Sequence, residues 1–214
     1  LEVLGVDLSL PADQAAECVR TVGIGFLFAP LLHGAMKYAI GPRREMGIRT
    51  IFNILGPMTN PAGANVQLTG VFARELTVPL AEVLSRLGMK RTLVVWGEGN
   101  MDEMTVTGTS YVADAHDGTV ESYTVEPEDM GLSRAGIDEI RGGADAGESA
   151  ALVREVLGNR PGARLDTVLL NAGAALLAAG KVDTLRAGVE QAREIISSGA
   201  ALEKLDQLVA FCKG

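Results

Sequence analysis

The spacing of apolar positions predicts helices near both ends of the chain. After Ser9, alanine and valine recur at helical intervals over residues 15–22. With Pro11 suited to a first turn, we expect a helix that Ser9 caps. A second apolar stretch, residues 26–40, is predicted to be helical after Pro30. Four more helices are predicted toward the end of the chain, over residues 147–157, 167–179, 184–197 and 202–211.

The middle of the chain has the pattern of strands. Residues 66–72 are β-rich, residues 78–87 have helical spacing, and residues 91–96 form a continuous apolar run that ends at Gly97. Strand, helix and buried strand in this order predict a βαβ unit and a parallel pair. The fold class expected is therefore α/β, a mainly parallel central sheet flanked by helices. Three shorter strands are predicted at residues 105–107, 110–115 and 119–125, with a hairpin turn at residues 116–118.

Composition and charge narrow the function classes. The 214 residues include 19 Lys plus Arg and 27 Asp plus Glu, a net charge of −8, which argues against a nucleic-acid or anionic-membrane binder. A hydrophobic content of 47% supports one packed domain over residues 1–214. The apolar stretch 22–32 is too short to span a bilayer. Cys18 and Cys212 are far apart and form no CxxC motif, so a disulfide scaffold or a structural zinc site is not expected, and a reducing compartment is. We therefore expect a soluble, cytoplasmic protein.

An acidic loop follows the most apolar predicted strand. Residues 97–103 read Gly-Glu-Gly-Asn-Met-Asp-Glu, directly after the apolar run. Loops at the carboxyl ends of parallel strands bind ligands in open α/β sheets. The carboxylates of Asp102 and Glu103 suit Mg²⁺ that is shared with substrate phosphates. A solvated acidic turn is the alternative interpretation.

A basic segment interrupts this otherwise acidic chain. Lys37, Arg43, Arg44 and Arg49 lie within thirteen residues and are opposed only by Glu45. Such a local reversal of charge suits an anionic small molecule, and guanidinium groups pair with carboxylates through two parallel hydrogen bonds. The alternative is a solvated basic helix end.

The residues around the basic segment could complete a pocket. Gly56 and Pro57 impose a defined backbone path in which a ligand can approach the main chain closely. His33 is either a hydrogen-bonding group of the same pocket or a satisfied histidine at a helix end. The chain contains no GxSxG, HExxH or Walker motif, so we assign no catalytic nucleophile.

Several of these segments together resemble one enzyme family. The best match is residues 47–61, which contain Arg-Thr-Ile-Phe-Asn-Ile-Leu-Gly-Pro from Arg49 to Pro57. Supporting matches are residues 23–30 with His33 three residues later, Met-Asp-Glu at residues 101–103, and Asn-Ala-Gly-Ala-Ala-Leu at residues 171–176. In their types and order these segments resemble the anthranilate phosphoribosyltransferase family across essentially the whole chain.

The resemblance implies a fold, a reaction and residue roles. It implies an α/β catalytic domain of the nucleoside phosphorylase and phosphoribosyltransferase type. The reaction would transfer the phosphoribosyl group of phosphoribosyl pyrophosphate to anthranilate, giving N-(5-phosphoribosyl)anthranilate and pyrophosphate in tryptophan biosynthesis, with Mg²⁺ as cofactor. By the same resemblance, Asp102 and Glu103 hold the metal, Arg43 faces the anthranilate carboxylate, and Arg49 is structural. His33, Gly56 and Pro57 line the path by which anthranilate enters.

The chain also departs from the family pattern. The family's Gly-Thr-Gly-Gly-Asp loop and Lys-His-Gly-Asn segment do not occur. We expect both to lie upstream of Leu1, together with most of a helical domain that carries the family's dimer contacts. The chain would then be the C-terminal portion of a longer homodimeric enzyme and inactive, or nearly so, by itself.

Two other functions remain open at this point. Pyrimidine nucleoside phosphorylases share the expected fold. Some non-catalytic relatives bind nucleic acid, although the net charge of −8 argues against that function because phosphate neutralisation needs an excess of cations.

Overall fold

A four-stranded sheet forms the centre of the fold. The computed structural model describes residues 1–32, 45, 55–56 and 58–214. The strands lie in the order β1, β2, β3, β4, and they are β1 (Val66–Gly70), β2 (Arg91–Gly97), β3 (Ser110–His116) and β4 (Thr119–Val125). β1 and β2 are parallel, whereas β2 with β3 and β3 with β4 are antiparallel.

Helices surround this sheet, so the predicted α/β class is confirmed. In the described part of the chain they are α1 (Ala12–Thr21), α2 (Ala29–Leu32), α3 (Thr77–Arg86), α4 (Ala146–Leu157), α5 (Ala163–Ala178), α6 (Leu185–Ser197) and α7 (Ala200–Cys212). The predicted βαβ unit is confirmed as β1, α3 and β2. The sheet is nevertheless mixed rather than mainly parallel, because residues 98–109 contain no crossover helix and β3 returns beside β2 in the opposite direction.

Alternate side chains of β2 enter two separate cores. Leu93 and Val95 point to one face, where they pack in one cluster with Leu169 and other residues of α5 and α6. Val94 points to the opposite face, where it joins Leu84 of α3. These β2 side chains are at most 1% exposed. The continuous apolar run in the sequence therefore reflects a strand that is covered by helices on both faces.

Two local predictions were wrong because side chains hydrogen-bond in other ways. Ser9 does not cap α1: its hydroxyl donates to Asp7 Oδ1 over 2.6 Å, and Pro11 precedes the first helical residue. Residues 105–107 form no strand, since the Thr105 N–H donates to Ser110 Oγ (2.9 Å) and the Thr107 N–H donates to Thr105 Oγ1 (3.0 Å). Short polar side chains compete with regular secondary structure in this way.

The predicted hairpin turn is confirmed. The turn between β3 and β4 has positive φ at Asp117 (49°) and Gly118 (77°), as a tight hairpin requires. The structure also shows a cap that the sequence analysis did not predict: Asp145 caps α4, because its Oδ1 accepts from the Glu148 N–H over 2.8 Å.

A third core joins the two ends of the chain. Val6 and Cys18 pack against Leu208 and Val209 of α7, and Cys212 lies at the border of the same cluster. The fold therefore brings together two cysteines that are distant in sequence. Among the helices of the described ranges, none has both the length and the apolar character needed to cross a membrane.

Candidate functional site

The acidic loop, residues 97–103, turns sharply at the carboxyl end of β2. The Gly97 N–H donates to Met101 O over 2.9 Å, and the Met101 N–H donates back to Gly97 O over 3.0 Å. Gly99 and Asn100 take positive φ values of 88° and 62° inside this turn. The turn places the Asp102–Glu103 pair immediately beyond the end of the strand.

Both parallel strands end in a glycine that touches this pair. Gly70 is the last residue of β1, and a Cβ there would overlap the backbone carbonyl of Asp102. Gly97 is the last residue of β2, and a Cβ there would lie 2.6 Å from Glu103 O. The carboxylate pair thus lies at the carboxyl ends of both parallel strands, where open α/β sheets bind their ligands.

Asn171 of α5 hydrogen-bonds the residue that follows the pair. Its Oδ1 accepts from the Met104 N–H over 3.0 Å, and its Nδ2 donates to Met104 O over 2.8 Å. Nδ2 also donates to Thr167 O, one helical turn earlier, over 3.0 Å. One amide side chain therefore occupies both polar backbone groups of Met104.

The Asp102–Glu103 pair brings two acidic side chains together in the acidic loop. Asp102 is exposed and Glu103 is half-buried. Burial raises the pKa of Glu103, and the negative charge of Asp102 raises this pKa further. In the described part of the chain, neither carboxylate forms an ion pair. A bound cation would favour the ionised form of Glu103 and would therefore oppose this rise in pKa.

The donor set of the acidic loop fits Mg²⁺ better than a metal held only by protein. Across the ranges that the structure describes, no group of three or more His, Cys, Asp or Glu side chains could hold a metal ion. Two adjacent carboxylates leave most positions of an octahedral ion for water and phosphate oxygens. Mg²⁺ is commonly bound in this manner beside substrate phosphates.

An apolar groove of 350 Å³ lies beside Glu103. α4 and α5 supply most of its walls, and Arg141 and Arg164 lie at its border. Arg164 Nε donates to the backbone oxygen of Arg141 over 2.9 Å. The groove therefore places two cations in the neighbourhood of the acidic loop.

A different charged group occupies the opposite end of β2. Arg91 Nε donates to Asp114 Oδ1 (3.0 Å) and Nη2 to Oδ2 (2.6 Å), while Nη1 donates to Leu177 O (3.1 Å). The hydrogen bond to Asp114 raises the pKa of Arg91. Burial raises the pKa of the neighbouring Tyr123 to about 12, helped by the charge of Asp114. The hydrogen bonds of Arg91 to Asp114 and Leu177 O link β2, β3 and α5.

The structure describes only part of the predicted site. Asp102 and Glu103 lie directly after β2, in the loop that the sequence placed at the end of this strand. Gly56 is exposed, and a Cβ there would meet no atom within 4 Å. The other predicted site residues, His33, Arg43 and Pro57, lie outside the described residues, as do Lys37, Arg44 and Arg49 of the basic segment.

Sequence reasoning gave no role to the two residues that contact the acidic loop, or Met104 directly after it, from other elements, although Asn171 begins one of the segments that resemble the family. Gly70 carried a weak signal, since a glycine ends a β-rich run just before the chain turns. Asn171 carried a stronger signal, because it is an amide within the apolar run of α5. A polar residue in such a position needs partners, but the pattern does not say which ones.

Comparison with known proteins identifies a family. The model of the glycosyl transferase family, a/b domain, matches residues 1–202. The chain is 72% identical over 211 residues to an anthranilate phosphoribosyltransferase of Desulfotalea psychrophila, covering 99% of this chain and 61% of that protein. It is 53% identical to the enzyme of that name from Trichlorobacter lovleyi, of which it covers 60%. The chain thus spans about 60% of the length of these relatives.

Solved structures share the fold. Anthranilate phosphoribosyltransferase from Thermus thermophilus matches with a TM-score of 0.93 and 44% identity, over 100% of this chain and 63% of that one. The Saccharomyces cerevisiae protein of that name, in complex with PRPP and Mg, matches with a TM-score of 0.88 over 99% of this chain and 61% of that one. At 24% identity the yeast structure supports the fold alone.

Proposed function

The chain belongs to the glycosyl transferase family of the a/b-domain type, and on that premise we propose that its complete gene product is an anthranilate phosphoribosyltransferase. The enzyme would transfer the phosphoribosyl group of phosphoribosyl pyrophosphate to the amine of anthranilate and release pyrophosphate. The observation that carries the proposal is the carboxylate pair at the ends of both parallel strands. The 72% identity to a relative of that name supports the choice of substrates.

The proposed reaction makes electrostatic demands that the acidic loop can meet. The bond between the anomeric carbon and the pyrophosphate oxygen breaks with its electron pair on pyrophosphate, the amine nitrogen bonds to that carbon, and the amine loses a proton to water. Mg²⁺, when bound, neutralises charge on the departing pyrophosphate. Asp102 and Glu103 would hold this ion. The turn at Gly97 and the hydrogen bonds of Asn171 to Met104 hold the backbone on both sides of the pair before substrate binds.

The acceptor side of the proposal rests on the family resemblance. Arg43 would pair with the carboxylate of anthranilate, because a guanidinium can donate two parallel hydrogen bonds to it. His33, Gly56 and Pro57 would line the entry path. We also propose that residues 1–214 belong to one catalytic domain, and that the complete protein is a cytoplasmic homodimer.

The test of this function is the loss of anthranilate fluorescence in the complete gene product. We expect fluorescence to fall when both phosphoribosyl pyrophosphate and Mg²⁺ are present and to persist when either is omitted. Persistence under all conditions would contradict the proposal. Phosphorolysis of thymidine, or a salt-dependent shift of DNA, would then point to another function of the family.

The acceptor side has its own test in Arg43→Ala. Removing the partner of the carboxylate should raise the KM for anthranilate more than the KM for phosphoribosyl pyrophosphate. An equal rise in both constants would count against the role of Arg43.

A further inference from the structure

We infer that Asn171 is a positioning residue that sets the orientation of the metal-binding pair Asp102–Glu103. The inference rests on the proposed function for the role of the pair. Its structural part rests on the hydrogen bonds of Asn171 alone.

The Asn171 side chain bridges two segments that are 67 residues apart in sequence. It accepts from the Met104 N–H and donates to Met104 O, at 3.0 and 2.8 Å. Met104 itself is fully buried. An apolar side chain at position 171 would leave the N–H and C=O of a buried residue without these partners, which is unfavourable enough to move the backbone.

Met104 is the residue through which this constraint reaches the pair. It directly follows Glu103, so its backbone orientation sets the direction of the Glu103 peptide. The other side of the pair is already held by the turn between Gly97 and Met101 and by the contact of Gly70 with Asp102. Asn171 holds the backbone of Met104, which follows the pair, so the pair is constrained on both sides along the chain.

The helix that carries Asn171 is itself firmly held. Leu169, Leu170 and Ala174 of α5 have no exposed surface and belong to the core beneath the sheet. Asn171 is only partly buried among these neighbours, and its third hydrogen bond ties its amide to Thr167 O. Rigid support of this kind is what a precisely placed ligand set needs.

Amide hydrogen exchange tests the structural part of the inference. In Asn171→Ala of the complete gene product, exchange of the Met104 amide should accelerate by about tenfold, the factor expected from one lost hydrogen bond. Amides of β2 should keep their wild-type rates. In Asn171→Asp the remaining acceptor should keep the Met104 amide protected.

Mn²⁺ binding in the presence of pyrophosphate tests the functional part. Measured by water proton relaxation, the Kd for Mn²⁺ should rise about tenfold in Asn171→Ala. It should also rise in Asn171→Asp, which cannot donate to Met104 O. Since the added negative charge of that variant by itself favours cation binding, weaker binding there would report a misplaced loop. If Asn171→Ala does not fold, the Kd for Mn²⁺ of Asn171→Asp still tests whether Asn171 positions the pair.

Leu177→Ala is the matched control for a general loss of stability. It creates a cavity in the same core, six residues and about 9 Å of helix rise from Asn171. This variant should leave the Kd for Mn²⁺ and the exchange of the Met104 amide within about twofold of wild type.

The inference is overturned if both Asn171 variants bind Mn²⁺ as the wild type does, or if the Met104 amide stays protected in Asn171→Ala. Absence of Mn²⁺ binding by the wild-type protein would instead overturn the metal site of the proposed function. The exchange of the Met104 amide would still decide whether Asn171 holds the loop.

Discussion

Acidic side chains beside the two ends of β2 are in opposite situations. At the amino end, Asp114 is 4% exposed and receives two hydrogen bonds from Arg91. At the carboxyl end, Asp102 and Glu103 have no ion-pair partner in the described part of the chain. The first group is satisfied within the protein, whereas the second has no ion-pair partner among the residues that the structure describes. The comparison shows that partners, rather than residue type, separate a structural carboxylate from a candidate site.

The largest expected effect is on activity, at the carboxyl end. Asp102→Asn should lower Mg²⁺-dependent turnover of the complete gene product by at least about a hundredfold, because one of two proposed metal ligands is weakened. The Tm should hardly change, since the side chain is exposed. The measurement is anthranilate consumption over a Mg²⁺ titration.

Asp129→Asn provides the control for that charge change. Asp129 is also exposed, and it lies outside the acidic loop. The turnover of Asp129→Asn should match that of the wild type. Wild-type activity of Asp102→Asn across the titration would refute the metal role and remove the contrast between the two ends.

The next effect is on stability, at the amino end. Asp114→Ala leaves the partly buried Arg91 without its partner and should lower the free energy of unfolding by about 2 to 4 kcal/mol. Urea denaturation measures this change. The exposed pair Glu17–Arg20 is the control, and Glu17→Ala should cost less than about 1 kcal/mol. Equal losses in the two variants would mean that Asp114 is no more structural than a surface carboxylate.

A smaller effect tests the contact between β1 and the acidic loop. In Gly70→Ala the new Cβ would overlap the backbone carbonyl of Asp102, so the loop must shift, at a cost of about 1 to 3 kcal/mol. Mn²⁺ affinity should fall as well. Gly142→Ala is the control, because a Cβ there meets no atom within 4 Å. Wild-type stability and Mn²⁺ affinity of Gly70→Ala would show that the loop is not held by β1.

The smallest effect concerns Glu103 and depends on pH. Burial raises its folded-state pKa above the ordinary value of 4.5, so the folded state binds more protons than the unfolded state between these two pKa values. This group therefore contributes most stability below pH 4.5, and that contribution is lost as the pH rises through the folded pKa. Glu103→Gln should stabilise the fold at pH 7 by less than about 1 kcal/mol.

Thermal unfolding between pH 4 and pH 8 measures this prediction. The difference in Tm between Glu103→Gln and the wild type should shrink as the pH falls through the raised pKa of Glu103 toward 4.5. A variant that is less stable than the wild type at pH 7 would show that the ionised carboxylate is satisfied within the protein. Acidic side chains beside both ends of β2 would then be satisfied within the protein.

Much of the secondary structure could be predicted from periodicity. The closing helices could be predicted because each buries one face against a core, which leaves apolar residues at helical spacing. The βαβ unit could be predicted because β2 is buried on both faces, which leaves a continuous apolar run. The predictions of a Ser9 cap on α1 and of a strand at residues 105–107 were wrong. Serine and threonine hydroxyls there form hydrogen bonds with nearby groups, which an apolar pattern does not reveal. The antiparallel return of β3 was equally hidden, since a sequence pattern does not record strand direction.

The sequence by itself also determined where the candidate chemistry lies, because an acidic loop directly after a doubly buried strand must lie at the end of that strand. Only the tertiary structure decided what holds this loop. Gly70 and Asn171 reach it from residues 32 and 67 positions away from their contacts at Asp102 and Met104. The physical reason is that hydrogen bonding and close approach depend on distance in space, which the chain acquires only when β1 and α5 pack against β2.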